Sequence, residues 1–364
     1  MKQRLLLAFF ALSLFITSCG SDNGLDGNWR KSAEYSGSER GGAVSFTIGN
    51  DVYVGLGYSD GDYFSSFYKY NTTINNWVKI SDVERDSEGD IIKDADGNPI
   101  EIGVFPGTPR REAIAFSVNG KGYIGTGVDE DNDRMNDFWE YDPKKPITER
   151  WSEVTSQFPG GIRQGAVAFA FDTNGDGIND VAYVGTGRGV LDGEDQNKLK
   201  DFYKFQNGTW EESFGYGGSK VTDATSFTIG EKAYLVTGIN NNMLDDVWEF
   251  DSTSETWLQK KDIDKDNGAE NVQRTGAVSF VIDGKGYVTT GSGSNSREVW
   301  EYDPKKDDWV ERTSLENEVF SRVDAIGFNI DNRGFMVTGL SGQTGLSDMW
   351  EFQPKVGEDD NDND

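Results

Sequence analysis

The sequence predicts an all-β protein made of six copies of one unit, each with four short strands. A run of apolar, small and aromatic residues recurs six times, and each copy is followed by a turn and a second apolar run that ends in Gly-x-Gly or Thr-Gly. Valine, isoleucine, phenylalanine, tyrosine and tryptophan dominate these runs, as is typical of strands, and the 3.6-residue period of a helix is absent.

The two apolar runs supply the first and second strands of each unit. The first-strand runs are AVSFTI (43–48), AIAFSV (113–118), AVAFAF (166–171), ATSFTI (224–229), AVSFVI (277–282) and AIGFNI (325–330). The second-strand runs are VYVGLG (52–57), GYIGTG (122–127), AYVGTG (182–187), AYLVTG (233–238), GYVTTG (286–291) and GFMVTG (334–339).

Aromatic–charged–aromatic triplets mark the third strand, and a closing tryptophan marks the fourth. The triplets stand at 68–70, 139–141, 203–205, 248–250, 300–302 and 350–352, and the tryptophans are Trp77, Trp151, Trp210, Trp257 and Trp309. One four-stranded unit cannot bury both of its faces alone, whereas units stacked around an axis can. The pattern therefore predicts a six-bladed β-propeller.

The sixth unit lacks its closing tryptophan, because the chain runs from WEFQP into the acidic sequence GEDDNDND. A suitable strand stands at the other end of the propeller, where Trp29 lies between Asn28 and Arg30. We predict that this N-terminal strand completes blade six and closes the ring, which removes open sheet edges. The predicted propeller spans residues 28–354.

The order of a Gly-rich turn, an aromatic pair and a tryptophan resembles the kelch repeat over residues 40–352. The usual Gly-Gly is replaced here by Gly-Thr-Gly or Thr-Thr-Gly. The resemblance implies that the first strand of each blade is innermost. Kelch propellers include the galactose oxidase type, whose copper site needs histidine and a cysteine cross-linked to tyrosine, and the mature chain cannot provide them. They also include a sialic acid mutarotase type, which stays open.

The front of the chain is a candidate signal peptide. A short basic start precedes an apolar run, residues 5–16, that is too short to span a bilayer comfortably. The run ends in Ile-Thr-Ser-Cys, which resembles the lipobox of bacterial lipoproteins and implies that Cys19 is acylated. The alternative is an ordinary secretory signal with a chance cysteine. We expect residues 1–19 to be the signal, 20–27 a short linker and 355–364 a disordered acidic tail. The protein would then be exported and lipid-anchored to the cell envelope, at the outer membrane or the cell surface.

The composition excludes several classes of function. The chain has no histidine, one cysteine and a formal net charge of −28. Histidine-based acid–base catalysis and most zinc, copper and iron sites are thereby excluded, while oxygen ligands for hard cations remain. So strong a negative charge repels nucleic acid. We therefore expect no nucleic-acid partner, and membrane contact through the lipid anchor alone.

A candidate calcium loop separates the first two strands of the third unit. Residues 172–180 place oxygen-bearing side chains at alternating positions, with Gly177 after the third. Such spacing lets side chains and a carbonyl converge on Ca²⁺, as in the first nine positions of an EF-hand, which the loop resembles. The expected ligands are Asp172, Asn174, Asp176, the carbonyl of Ile178, and Asp180. The alternative is a polar loop whose side chains cap its own turns.

A series of arginines lies three residues before the alanine that begins each first-strand run. Its members are Arg40, Arg110, Arg163, Arg274 and Arg322, and repeat four has Val221 instead. Innermost first strands would bring these guanidinium groups toward one end of the central channel, where they could bind an anionic ligand. The alternative is that each arginine pairs with an acidic residue of the next blade.

Two classes of function follow from these features. The first is a lipid-anchored, non-catalytic binding or scaffold protein whose partner is an extracytoplasmic glycan or an envelope protein, with variable loops on a rigid ring as its binding surface. Enlarged loops at 81–107, 129–137 and 187–201 suit this role. The alternative is a carbohydrate-active enzyme, similar to the sialic acid mutarotase type, that uses channel carboxylates and arginine. The sequence alone leaves open whether the protein is an enzyme.

Overall fold

The structure is a computed structural model that describes residues 26–191, 193–263, 269–293, 295–357 and 359. These residues form six antiparallel four-stranded sheets, whose first strands contact one another in a closed cycle around a central channel. The predicted six-bladed propeller is therefore confirmed. Residues 1–25, including Cys19, and most of the acidic tail lie outside the described residues.

The first half of the ring holds blades one to three. Blade one follows β1 (Asn28–Lys31) and comprises β2 (Val44–Ile48), β3 (Asp51–Gly55), the hairpin β4 (Tyr58–Ser59) and β5 (Asp62–Tyr63), β6 (Phe67–Asn71) and β7 (Asn76–Lys79). A hairpin of β8 (Asp82–Val83) and β9 (Glu101–Ile102) leads to blade two. Blade two comprises β10 (Ile114–Val118), β11 (Lys121–Gly125), β12 (Phe138–Tyr141), a 3-10 helix at Ile147–Glu149 and β13 (Trp151–Glu153). Blade three follows β14 (Ile162–Gln164) and comprises β15 (Val167–Phe171), β16 (Val181–Gly185), β17 (Arg188–Leu191), β18 (Glu194–Gln196), β19 (Phe202–Gln206) and β20 (Thr209–Ser213).

The second half holds blades four to six. Blade four comprises β21 (Thr225–Ile229), β22 (Lys232–Val236), the hairpin β23 (Ile239–Asn240) and β24 (Asn242–Met243), β25 (Val247–Asp251) and β26 (Thr256–Gln259). A 3-10 helix at Ala269–Val272 precedes blade five, which comprises β27 (Val278–Ile282), β28 (Lys285–Thr289), β29 (Val299–Asp303) and β30 (Asp308–Arg312). Blade six comprises β31 (Ile326–Ile330), β32 (Arg333–Val337), the hairpin β33 (Leu340–Ser341) and β34 (Thr344–Gly345), and β35 (Met349–Gln353).

The N-terminal strand closes the ring as predicted. Strand β1 pairs antiparallel with β35, with Trp29 opposite Phe352, so the order of the sixth sheet is β1-β35-β32-β31. The Trp29 side chain is fully buried, and its ring centroid lies 5.0 Å from that of Phe352. The first strand of the chain thus occupies the place that a closing tryptophan holds in the other blades.

The core consists of aromatic and branched side chains packed between neighbouring blades. Close packing depends on glycine near the start of the second strand. A Cβ atom at Gly122 would lie under 3.0 Å from the Phe46 ring of blade one, and one at Gly334 would meet the Phe280 ring of blade five in the same way. The glycine in these second-strand runs therefore admits the phenylalanine of the preceding blade. Within the described chain, no helix is long and apolar enough to cross a membrane.

Candidate functional site at the channel mouth

A closed ring of backbone hydrogen bonds surrounds one end of the channel. It joins the six residues that directly precede the first-strand alanines: Gly42, Glu112, Gly165, Asp223, Gly276 and Asp324. Each of their N–H groups donates to the carbonyl oxygen of the corresponding residue in the preceding blade, at 2.9–3.1 Å, and the bond from Gly42 to Asp324 completes the cycle. All six have left-handed backbone conformations, with φ between 52° and 62°. The strands therefore start from a rigid rim, which we call the channel mouth.

Acidic residues and glycines alternate around this rim. Glu112, Asp223 and Asp324 stand in the even-numbered blades, and the odd-numbered blades have glycine. A Cβ atom on Gly276 would lie 2.5 Å from a carboxylate oxygen of Asp324, and one on Gly165 would collide with Asp223 in the same way. Each of these two carboxylates therefore lies over a neighbouring glycine. A non-glycine residue with positive φ costs about 1–3 kcal/mol, and such strain is concentrated at functional sites.

The two aspartates of the mouth have perturbed acidity. Burial, with help from the charges of Glu112 and Asp223, raises the pKa of Asp324 to about 7. Burial and the charge of Glu112 also raise the pKa of Asp223 to about 6, against the opposing effect of Arg188. Both carboxyl groups can therefore exchange protons near neutral pH, which is the property that a general acid or base requires.

Arg188 brings a positive charge to the mouth from blade three. It begins β17, the strand that follows the second strand of blade three, and its Nε is buried with no hydrogen-bond partner among the residues described. Tyr58, Val128, Ile239, Ser292 and Leu340 hold the corresponding position in the other blades. Among the described residues, Arg188 is therefore the one cation at this position of the six blades, while Arg111 of blade two stands opposite Val128 at the same level.

A polar network continues from Glu112. Arg111 pairs with the Glu112 carboxylate, and its Nε donates to the Tyr63 hydroxyl at 3.0 Å. The Gln164 amide donates to Glu112 at 2.6 Å and accepts from Arg134 at 2.9 Å. These bonds fix Glu112 in place, whereas no ion pair fixes Asp223 or Asp324 among the described residues.

Two adjoining hollows occupy the mouth. One, of about 170 Å³, is formed by the rim residues and the alanines that follow them. The other, of about 220 Å³, adds Arg188, Thr275, Ser292 and Val323 to four rim residues. The hollows share Glu112, Asp223, Gly276 and Asp324, so acidic groups, hydroxyl groups and one guanidinium face a common space.

The predicted arginine series does not face this space. Its five side chains are buried, with at most 2% exposed: Arg40, Arg110, Arg163, Arg274 and Arg322. Each donates to the carbonyl oxygen of a left-handed residue that follows the second strand of its own blade, for example Arg322 to Thr338 at 2.9 Å. The geometry therefore does not support ligand contact, because the guanidinium groups satisfy buried backbone acceptors.

The acidic partners of this series also differ from expectation. Arg110 binds Asp137, Arg163 binds Asp201 and Arg322 binds Asp348 through two hydrogen bonds each. Each aspartate belongs to the same blade as its arginine, rather than to the next blade. The expectation of inter-blade pairing is wrong. Each of these arginines binds a carbonyl oxygen after the second strand and an aspartate before the third strand, and so holds together the two ends of one loop within its own blade.

The predicted calcium loop lies between β15 and β16, at the end of blade three opposite the channel mouth. Its carboxylates accept backbone hydrogen bonds: Asp172 binds the amides of Gly175 and Gly177 at 2.7 Å each, and Asp180 binds the amide of Thr173 at 2.7 Å. Asn174 and Asp176 each accept the amide two residues ahead, and Ile178 is half exposed. Among the residues described, no group of three or more acidic side chains is gathered closely enough to hold a metal ion.

Sequence reasoning missed the channel-mouth residues, although a signal was present. The residue before each first-strand alanine reads Gly, Glu, Gly, Asp, Gly and Asp in order. An alternation of acidic residues and glycines at one structural position indicates a ring of carboxylates. The glycines, which have no side chain, leave space for the neighbouring carboxylates. The arginine series is the more regular signal of the two, because the same residue recurs in five of the six repeats.

Comparisons with known proteins agree with this fold. No family model matches the chain. A curated relative, the N-acetylneuraminate epimerase of Yersinia enterocolitica serotype O:8 / biotype 1B, is 27% identical over 123 residues, which is 32% of this chain and only 24% of that relative. A solved structure, that of YjhT, superposes with a TM-score of 0.64 at 16% identity, covering 87% of this chain and 95% of that one. Together with the order of the strands, these findings show that the chain is a kelch-like β-propeller.

Proposed function

We propose that the channel mouth binds a small anionic sugar and catalyses the opening and reclosing of its ring, a mutarotation or epimerisation that needs no cofactor. One observation carries the proposal: Asp223 and Asp324, with pKa values of about 6 and about 7, share a hollow with Arg188, whose buried Nε has no partner among the described residues. The partial likeness to an N-acetylneuraminate epimerase supports the same class of substrate.

The chemistry requires one carboxylate and one carboxylic acid. A base removes the proton of the anomeric hydroxyl while an acid protonates the ring oxygen, and the bond between the anomeric carbon and the ring oxygen breaks. Reclosure on the other face returns both protons. At a pH between about 6 and 7, Asp223 is mainly ionised and Asp324 mainly protonated, so the pair holds the two forms at once.

Charge recognition would come from Arg188. In a protein of net charge −28, an anion needs a local cation, and arginine can bind a carboxylate through two parallel hydrogen bonds. The hydroxyl groups of Thr275 and Ser292 line the same hollow and could bind sugar hydroxyl groups. Arg188 would position the substrate and the two aspartates would transfer protons.

The test is anomer exchange measured by NMR with N-acetylneuraminate. We expect the protein to accelerate exchange, and Asp324→Asn or Asp223→Asn to lower the rate roughly 10²–10⁴-fold, the usual contribution of general acid–base catalysis. Arg188→Met should act mainly on KM. Glu130→Gln, in an exposed loop, is the control and should change nothing.

Two results would contradict this proposal in different ways. If calorimetry detects binding of the sugar but anomer exchange stays at the uncatalysed rate, the mouth is a binding site for glycans and not a catalytic site. That result would favour the non-catalytic binding protein described in the sequence analysis. If neither binding nor exchange is seen, and the Arg188→Met variant behaves as wild type with a panel of acidic sugars, the channel mouth is not the functional site.

We also propose that the loop 172–180 binds one structural Ca²⁺. Asp172, Asn174, Asp176, Asp180 and the Ile178 carbonyl supply oxygen ligands of the kind that Ca²⁺ prefers. Binding to the folded state alone would stabilise it by about 2.7 kcal/mol at a hundredfold excess over Kd. Melting with Ca²⁺ against chelator should therefore show a shift that Asp176→Ala removes and Asp131→Ala, in another acidic loop, retains. Equal melting temperatures at millimolar Ca²⁺ and in chelator would reject the site.

The location of the protein is a further proposal, since Cys19 lies outside the described residues. The apolar run and the Ile-Thr-Ser-Cys sequence support export followed by acylation of Cys19. Cys19→Ser should release the protein from the membrane fraction, and mass spectrometry should find lipid on the mature N-terminus of the wild type. Membrane partition that is the same in both forms, with no lipid on the N-terminus, would contradict lipid anchoring.

A further inference from the structure

A recurring polar contact joins the second and third strands of the blades. In blades two, four and five, a buried tyrosine hydroxyl donates to the glutamate directly opposite on the third strand, at 2.8, 3.0 and 2.7 Å. A lysine at the start of the second strand pairs with the same glutamate. The carboxylate therefore satisfies the tyrosine and the lysine together. The tyrosine–glutamate pairs are Tyr123–Glu140, Tyr234–Glu249 and Tyr287–Glu301.

Blade one reverses the charges of this contact. Asp51 stands where blades two, four and five have lysine, Lys69 stands where they have glutamate, and the two pair at 3.0 Å. Tyr53 lies opposite Lys69 and is 3% exposed. Its hydroxyl has no acceptor among the described residues, because the Lys69 ammonium group can only donate. The reversal thus leaves the Tyr53 hydroxyl without the carboxylate acceptor that the tyrosine has in blades two, four and five, while Lys69 pairs with Asp51.

Blade three shows how such a reversal can be completed. Lys204 replaces the glutamate there, and the acceptor is supplied by Glu255, from the turn between the last two strands of blade four. Its carboxylate accepts from the Tyr183 hydroxyl at 3.1 Å and from Lys204 at 2.6 Å. A carboxylate from outside the sheet therefore occupies the position of the missing glutamate.

The corresponding turn of blade two gives blade one no such carboxylate. Residues 142–150 instead bring Pro143 and Arg150 to the wall of a cavity of about 400 Å³ between the two blades. Three cationic residues and one acidic residue line it: Lys69, Lys79, Arg150 and Asp51. Tyr53 and Tyr141 also line it, with Val78, Ile80 and Pro143 on the apolar side. Lys69 pairs with Asp51 and Lys79 pairs with Glu101, so Arg150 supplies the excess positive charge of the cavity. In a protein of net charge −28, this local positive charge attracts anions.

We propose that this cavity binds the carboxylate of a small organic acid. The carboxylate would accept a hydrogen bond from Tyr53 and lie against Lys69 and Arg150, as Glu255 lies against Tyr183 and Lys204. The apolar side would contact the uncharged body of the ligand. The cavity shares no lining residue with the channel mouth, so this site is independent of the proposed catalytic function.

The test uses the purified protein with glucuronate, acetate and inorganic phosphate as calorimetric probes. The double variant Asp51→Lys/Lys69→Glu copies the Lys121–Glu140 pair of blade two and places an internal carboxylate beside Tyr53. We expect the wild type to bind glucuronate and the double variant to bind it at least tenfold more weakly, with the melting temperature retained. All titrations are repeated in the Arg188→Met background, where the channel mouth has lost its proposed anion-binding guanidinium, so that binding which persists there belongs to the cavity between blades one and two.

A second variant distinguishes a binding role from a structural one. Tyr53→Phe should leave the melting temperature unchanged without a carboxylate and weaken glucuronate binding about tenfold, the loss of one hydrogen bond. Tyr287→Phe is the matched control, because it removes a hydroxyl that already has an acceptor and should lower the melting temperature with or without glucuronate. Equal binding by the wild type and the double variant, or no saturable binding of either carboxylate at millimolar concentration, would overturn the proposal. Binding of phosphate alone would overturn the assignment of the ligand class.

Discussion

Replacing Trp29 with alanine tests how strongly the N-terminal strand stabilises the ring. The indole is fully buried, and it packs on Phe352 at 5.0 Å and on Phe280 of blade five at 6.1 Å. Burial of about 200 Å² of aromatic surface is worth about 5 kcal/mol at 25 cal/mol per Å². The Nε1 atom of Trp29 is buried without a hydrogen-bond partner among the described residues, and this unsatisfied donor reduces the net stabilisation by about 1 kcal/mol or more.

The expected loss is therefore about 3–4 kcal/mol, within the range measured for removing large aromatic side chains from cores. A domain of this size loses roughly 2–4 °C in melting temperature per kcal/mol, so the midpoint should fall by roughly 10 °C. Thermal unfolding followed by far-ultraviolet circular dichroism measures this shift. Chemical denaturation in urea gives the free energy directly if the transition is two-state.

Trp309→Ala is the matched control, because Trp309 occupies the equivalent place in blade five. It is 4% exposed, packs on Tyr302 at 5.0 Å and has the same unpartnered Nε1. If the N-terminal strand is a full member of blade six, the two variants should lose similar free energy. A normal melting temperature for Trp29→Ala beside a clear loss for Trp309→Ala would refute the idea that strand β1 holds the ring closed.

Two further predictions concern buried charges. Asp324→Asn should raise the melting temperature at pH 8 and have no effect near pH 4. Because the pKa of Asp324 in the folded state is about 7, the wild type loses stability as the pH rises from about 4 to 7 and this carboxyl group ionises. Arg322→Met should cost about 3 kcal/mol at pH 7, since it leaves Asp348 without its partner, and Arg322→Met/Asp348→Asn should recover part of the loss. Burial raises the pKa of Asp348, but the Arg322 guanidinium outweighs burial and holds that pKa below its usual value. The ion pair therefore stabilises the folded state at pH values above the pKa of Asp348 in the unfolded chain, and this stabilisation should vanish as the pH falls through its pKa in the folded state. Denaturation curves at several pH values check both.

Most of the fold could be predicted because its signal repeats six times. A single strand run is ambiguous, but six in register specify the blades, and the missing sixth tryptophan pointed to Trp29. The arginine series repeats as clearly, yet its role was not predictable, because spacing gives the position of a side chain and not its direction. Arg163 points into its own blade, where carbonyl oxygens surround it, rather than into the channel.

The candidate sites lie where the repeat is broken, and for that reason a search for regularity passes over them. Arg188 has no counterpart in the other blades, and Tyr53 faces lysine where four other blades have glutamate. Structural residues of a ring recur because every blade has the same mechanical need. A ligand has no sixfold symmetry, so its contacts require departures from the repeat.

The alternation at the channel mouth leads to a last prediction, which separates backbone strain from carboxylate position. Gly276→Ala and Gly284→Ala both place alanine at positive φ, 62° and 71°, and both should cost about 1–2 kcal/mol for that reason. The Cβ at position 284 meets nothing within 4 Å, whereas the one at position 276 would lie 2.5 Å from the Asp324 carboxylate and must displace it. Anomer exchange should therefore fall only in Gly276→Ala, although both variants lose similar stability. If both variants keep full activity, or lose it equally, the position of Asp324 over its neighbouring glycine is not what the reaction requires.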